Sequence, residues 1–300
     1  MSEILVGVDG TAGAEDALAF AEQLAGATGA ALRLATAFPY DDTPSRMSNA
    51  TYRDALRADA MALLDRLGDA GMAKDAVANV SPPHALHELA RERDSALIVV
   101  GSTHRGRIGR VLPGSTGERL LHGASCPVAI VPRGYRTRPD DEIRTIGVGY
   151  DASDESRAAL EAACELARRF GAAIRVIRVF DSTEVGTPGL AVGPAYAEVY
   201  KEVEERQRAD LDRLVAELAE DIRAEGVFLG GRPGHELADQ SQSLDLLVVG
   251  SRGYGPLRAV LLGGVSHALV RSAACPVIVL PRGAGAVLHT LTAAAAEAGA

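Results

Sequence analysis

The chain is poor in the features that mark several large classes of protein. It has three cysteines in 300 residues, widely spread. That rules out a disulfide framework and a cysteine-ligated metal site, and it fits a reducing compartment. No apolar run approaches the about 20 residues needed to cross a bilayer. The opening Met-Ser-Glu-Ile-Leu-Val-Gly reads as a lead into a strand, with no secretion signal. The cytoplasm is the expected compartment. Positive charge is in deficit, with 31 Lys and Arg against 40 Asp and Glu and a formal net charge of −9. A general nucleic-acid binder needs a basic face, so neither nucleic acid nor membrane is an expected partner. G-x-S-x-G and G-x-x-x-x-G-K-[ST] are also missing, which removes the usual hydrolase and P-loop readings.

What is present occurs twice. Residues 101–115 read GSTHRGRIGRVLPGS and residues 250–264 read GSRGYGPLRAVLLGG. Each stretch follows an apolar run (96–100 and 246–249) and precedes an amphipathic segment ending in Cys-Pro-Val, at Cys126 and Cys275. A strand flowing through a Gly- and Arg-rich loop into a helix start suits an anion. Glycines let the main chain approach closely, and free N–H groups at the helix start carry partial positive charge. Gly101 and Gly250, Ser115 and Gly264, Cys126 and Cys275, and Pro132 and Pro281 all pair at one spacing of 149 residues. Asp9 and Asp151 pair at 142, so the second copy carries a net insertion of seven residues. His87-Glu88-Leu89-Ala90 recurs as His235-Glu236-Leu237-Ala238. Copies of this length are expected to hold separate cores. The expected division is a domain over 1–134, a polar, turn-rich linker over 135–142, a domain over 143–283 and a poorly ordered tail over 284–300.

Periodicity alternates strand and helix through both copies. In the first, residues 4–9 read as a buried strand ending at Asp9. A helix follows with Ala14, Ala17, Leu18, Ala21, Leu24 and Ala25 as its inner stripe, then a strand over 31–37. Tyr52, Leu56, Leu63, Leu64 and Leu67 mark a helix, residues 77–80 a weak strand, and Pro82-Pro83 opens a helix through the His-Glu-Leu-Ala segment. The strand before Gly101, a helix from Ser115 to about residue 122 and a strand over 128–131 complete the unit. The second copy repeats the order, with strands over 146–151 and 174–180. Ala159, Leu160, Ala163, Leu166, Ala167 and Phe170 line its first helix. Val199, Val203, Leu211, Leu214, Leu218 and Ile222 run along a long, solvated amphipathic one. The expected fold is α/β: two tandem Rossmann-like domains, each a five-stranded parallel sheet of order 3-2-1-4-5 with helices on both faces.

In such sheets ligands sit beyond the carboxyl ends of the strands, where the winding reverses. Asp9 and Gly101 then share one crevice, and Asp151 and Gly250 another. The carboxylates suit a ribose or a magnesium ion; as separate residues they suit equally well a helix N-cap. Three motifs are set aside. Residues 147–152 fit G-x-G-x-x-A but lack an acidic residue about 20 positions on. His87-Glu88 and His235-Glu236 lack the second histidine of a zinc-protease motif and read as helix-surface residues. His84 and His87 have no further ligands nearby.

These residues resemble the universal stress protein family in its tandem form, over nearly the whole chain. Family members that bind ATP share the spacing Gly, two residues, Gly, nine residues, Gly, then Ser or Thr. Gly250, Gly253 and Gly263 keep it, with Gly264 in place of the hydroxyl residue. Gly101 and Gly114-Ser115 keep it, with His104 in place of the second glycine. The resemblance implies that Asp9 and Asp151, beside Gly7 and Gly149, face the ribose or a magnesium ion that enters with the nucleotide. Ala37, Val179, Val100 and Val249 would border the adenine. The loop glycines and the main-chain N–H groups of Ser115, Thr116, Gly264 and Val265 would meet the phosphates. Ser266 keeps a hydroxyl nearby, and Arg105, with Arg107 and Arg110, adds charge. Replacing Ser by Gly at 264 removes one contact worth about 0.5–1.5 kcal/mol. The resemblance also implies that the last strands, 128–131 and 277–280, pair inside the monomer as a pseudo-dimer; a homodimer of whole chains stays open. The function it implies is ATP binding in a regulatory stress protein without strong catalysis. Two alternatives stand beside it: a slow ATPase or nucleotidyl- or phosphoryl-transfer enzyme, and an interaction module whose sites have decayed at His104 and Gly264.

Overall fold

The computed structural model describes residues 2–40, 50–102, 115–122, 124–138, 142–181, 194–218, 220–251 and 264–282. Most of both glycine loops and the tail from 283 lie outside them. The first half runs β1 Glu3–Gly7, α1 Ala12–Thr28, β2 Ala31–Phe38, α2 Ala50–Leu67, β3 Ala73–Ala78, α3 Pro82–Arg93, β4 Leu97–Gly101, α4 Ser115–Leu121 and β5 Val128–Val131. The second runs β6 Thr145–Gly149, α5 Asp154–Phe170, β7 Ala173–Phe180, α6 Pro194–Leu218, β8 Ala224–Gly230, α7 Pro233–Gln240, β9 Leu246–Gly250, α8 Gly264–Ser272 and β10 Val277–Leu280.

The elements begin and end where local chemistry asks. Proline opens α3 and α7, where its missing N–H costs nothing. Gly29 and Gly171, at φ +70° and +65°, close α1 and α5, their N–H groups reaching the Ala25 and Ala167 carbonyls. The central strands β1, β4, β6 and β9 are near-continuous apolar runs, because helices cover both of their faces.

Within each half the order is 3-2-1-4-5 and every pairing is parallel. The two five-stranded sheets join into one sheet of ten strands through the pairing of last strands that the resemblance implies. β5 and β10 pair antiparallel, with Val277 opposite Ile130, Ile278 opposite Ala129 and Val279 opposite Val128. All eight residues of these two strands are buried. As free edges they would expose unpaired backbone on an apolar strip, and each covers the other.

The cores accordingly follow sheet faces instead of copies. One apolar cluster joins Ala14, Phe20 and Leu24 of α1 to Ala159, Ala163 and Leu166 of α5. The other joins Leu86, Leu89 and Leu120 to Leu237, Leu269 and Val270. Separate cores are thus a corrected expectation: closing the sheet made both faces continuous.

The start of the expected linker is fastened down. Residues 135–137 form a 3-10 turn. Buried Asp16 of α1 accepts hydrogen bonds from the Gly134 N–H (2.8 Å) and the Arg136 N–H (3.0 Å). Tyr135 meets Phe20 edge-on at 5.5 Å, and Arg138 Nη2 donates to the Ala274 carbonyl at 3.0 Å. Smaller corrections fall on single apolar residues. Tyr52, Val80 and Val199 are exposed, and β3 ends before Val80. Ile222 is buried but lies beyond the end of α6.

Candidate functional site

Both acidic residues stand just past a central strand, exposed, in the same local design. Asp9 Oδ1 accepts from the Thr11 N–H (3.1 Å) and hydroxyl (2.6 Å). Asp151 Oδ1 accepts from the Ser153 N–H (3.0 Å) and hydroxyl (2.5 Å). The N-caps themselves are Thr11 and Ser153. The carboxylates therefore brace the turn before the cap, a local role that lies between the two readings of the sequence. The turn needs a left-handed residue, supplied by Gly10 at φ +76° and, against the usual preference, by Ala152 at φ +66°.

The glycines at the strand ends have a packing reason that the sequence did not disclose. A Cβ on Gly101 would stand 1.9 Å from the Gly13 carbonyl oxygen, and one on Gly250 2.5 Å from that of Glu155. The first turn of α1 or α5 can settle against its strand only if those positions are bare. Gly7 and Gly149 are similarly overlaid, by Leu86 at 2.7 Å and Leu237 at 3.1 Å from an added Cβ. Immediately after the strand-end glycines, the hydroxyls of Ser102 and Ser251 are buried without a hydrogen-bond partner among the described residues.

In the second half the strand ends open on a cavity of about 1040 Å³. Gly149 and Asp151 border it from β6, Val179 from β7, Val249 and Gly250 from β9, and Gly264, Val265 and Ser266 from the start of α8. Every described second-copy residue singled out in the sequence is thus brought to one space; Gly253 and Gly263 lie outside the described residues. In the first half Gly7, Asp9, Ala37, Val100 and Gly101 stand at or beyond the ends of β1, β2 and β4, and Ser115 and Thr116 open α4. His104, Arg105, Arg107, Arg110 and Gly114 lie outside the described residues.

Sequence reasoning missed several polar groups bordering the cavity, Glu155, Arg178 and Gln207 among them. Glu155 lies in the first turn of α5, and its Oε1 accepts from Arg282 Nε at 2.6 Å; that hydrogen bond holds its carboxyl below the ordinary range. Arg178 of β7 is buried and donates from Nε to Gln207 Oε1 at 3.1 Å. The available signal was an arginine among apolar neighbours, Ile-Arg-Val-Phe at residues 177–180.

No group of three or more His, Cys, Asp or Glu side chains is placed to hold a metal among the described residues. Burial pushes the thiols of Cys126, Cys164 and Cys275 up to about 12, 11 and 12, far from thiolate chemistry near neutrality. His87 is not the surface residue expected. It is half-buried, with Nε2 donating to the Leu120 carbonyl at 2.8 Å, and burial lowers its pKa. His235 is exposed, 3.4 Å from Asp239 Oδ2. No helix among the described residues is long and apolar enough to cross a membrane.

Comparison with known proteins returns one family. The model of the universal stress protein family matches residues 1–132 and 142–281. A universal stress protein of Mycobacterium tuberculosis is 32% identical over 200 residues, 66% of this chain and 65% of its own; this chain thus spans just under two thirds of that relative. A second from the same organism is 33% identical over 203 residues, 65% of this chain and 68% of its own. One from Mycolicibacterium smegmatis is 29% identical over 297 residues, 92% of this chain and 96% of its own. Among solved structures, a universal stress protein from Archaeoglobus fulgidus superposes with a TM-score of 0.69 at 20% identity, covering 94% of this chain and 98% of that one. A functionally unknown Pseudomonas aeruginosa protein gives 0.64 at 17%, covering 99% and 98%. At these identities the solved structures speak for the fold.

Proposed function

The chain belongs to the universal stress protein family and carries its unit twice, and from that premise we propose that it is an adenine-nucleotide-binding regulatory protein whose second half holds the stronger site. The observation that carries this reading is one cavity at the ends of β6, β7 and β9, bordered by Gly149, Asp151, Val179, Val249, Gly250, Gly264, Val265 and Ser266 together. Phosphates would sit at the start of α8, against the N–H groups of Gly264 and Val265 and the Ser266 hydroxyl, where the helix end favours negative charge. Asp151 would meet the ribose, and Val179 and Val249 the base. Magnesium, in this reading, arrives with the phosphates, since Asp151 alone cannot complete an oxygen shell. Gly101 and Asp9 would frame a weaker first site.

Chemistry beyond binding finds little support. Glu155 is paired with Arg282 and its pKa is lowered, which makes it a weak base, and the buried thiols stay protonated. Occupancy would instead act by changing the surface formed by the loops and by α8. The units are assigned to 1–134 and 143–283, and the compartment to the reducing cytoplasm, in keeping with three unpaired cysteines.

Calorimetric titration of the whole chain with ATP and magnesium tests this. One dominant site is expected, weakened about tenfold or more by Asp151→Ala, the loss of a charged hydrogen-bond acceptor. Asp9→Ala should affect only a second, weaker event. Absence of heat and of any ATP-induced rise in melting temperature would sink the reading.

A further inference from the structure

Arg178 is a buried cation at the cavity for which the nucleotide reading has no use. The residue is 9% exposed, and its described partner is the uncharged amide of Gln207, at 3.1 Å from Nε. Among the described residues no carboxylate pairs with it. A guanidinium carries five N–H donors, and a buried cation is costly unless an anion faces it. Both Arg178 and Gln207 border the cavity, so the missing anion can come from whatever the cavity holds.

Position narrows the class of ligand. In the sheet β6 lies between β9 and β7, so Asp151 is flanked by Gly250 on one side and Arg178 on the other. A ligand with its 5′-phosphates on the β9 side and its ribose at Asp151 turns a ribose hydroxyl toward β7. The end of the second strand is where Rossmann-type sheets read ribose hydroxyls, and an arginine there accommodates a phosphate on them. Resting on the nucleotide reading above, we propose that Arg178, oriented by Gln207, forms a subsite for a phosphate on the ribose 2′ or 3′ oxygen, so that the second half prefers ribose-phosphorylated adenine nucleotides. The first half supplies an internal contrast. The register of β1 on β2 and of β6 on β7 aligns Thr36 with Arg178, and Thr36 brings no charge.

The test is titration of the full chain with AMP, adenosine 2′,5′-bisphosphate and adenosine 3′,5′-bisphosphate. One bisphosphate should bind at least about tenfold more tightly than AMP, as a charge-assisted contact implies, and the two isomers show which oxygen carries the phosphate. Arg178→Thr should reduce that ratio to below about twofold. Gln207→Glu, which hands the guanidinium an internal carboxylate, should erase the ratio too while raising the melting temperature; it decides the matter if Arg178→Thr does not fold. Equal binding of AMP and both bisphosphates by the wild type, or a preference that survives either variant, overturns the subsite and leaves the nucleotide reading standing. If none of the three binds while ATP with magnesium does, the subsite falls alone; if ATP fails as well, both fall.

Discussion

The crevices at the two halves' strand ends share a frame and differ in filling. In both, a bare glycine ends the fourth strand, an acidic residue follows the first, and a hydroxyl residue caps the next helix. Four aligned positions then part company: Gly10 and Ala152, Gly13 and Glu155, Thr36 and Arg178, Leu86 and Gly234. Leu86 is buried over Gly7, the place that Leu237 takes over Gly149 in the second half, while Gly234 lets α7 close on Ala268 of α8 and borders the cavity. At two of these positions the second copy carries charge, Glu155 and Arg178, where the first has Gly13 and Thr36. Duplication within one chain permits this, because the continuous sheet and its shared cores are stabilised by both halves.

The shared frame is where the largest effects are expected. Gly101→Ala should cost about 3 kcal/mol or more, since backbone cannot yield as a side chain can. Gly250→Ala should cost less, because the obstructing oxygen stands at 2.5 Å instead of 1.9 Å. Urea unfolding measures both, and two near-neutral variants would mean the close approach is not what the halves have in common. Next comes Leu86→Ala, expected to cost about 2–3 kcal/mol by leaving a cavity; a second nucleotide equivalent in its titration would show that this leucine closes the first site. The turn residues should then move in opposite directions. Gly10→Ala is expected to lose, and Ala152→Gly to gain, up to about 1 kcal/mol, because only glycine takes a left-handed conformation without strain. Thermal melting would contradict the contrast if both shifts had the same sign.

The smallest effect belongs to half-buried His87, in the first half. Burial sets the folded pKa of His87 below its ordinary value of 6.5. The unfolded chain therefore binds the extra proton first as pH falls. Stability should be full above about pH 6.5 and decline as pH drops from there toward the folded pKa. His87→Gln should flatten that slope relative to wild type; a slope unchanged in that variant would place the titrating group elsewhere.

Much of this was legible in the residues. Spacing paired the copies, alternation of apolar periods located the strands and helices of each, and Asp151, Gly250 and Ser266 could be assigned to one crevice before any coordinates. Failures fell where long-range packing overrode local pattern. Tyr52 and Val199 fit an apolar stripe but face solvent, because no layer covers that side of their helices. His87 looks like its repeat partner His235, yet the packing of α3 on α4 buries it. Arg178 was passed over because a strand pattern treats an arginine as a surface residue; only the approach of α6 showed that it is buried with a neutral partner.

By itself, then, the sequence determined the duplicated α/β unit, its strand order and the strand ends at which the second cavity opens, because periodicity and turn chemistry act over neighbouring residues. Tertiary structure alone decided that the two cores become continuous across the halves, that Leu86 lies over Gly7 where Leu237 lies over Gly149, and that a guanidinium lies buried at the second cavity. Those outcomes depend on which side chains meet across the sheet, and such meetings join residues that are far apart along the chain.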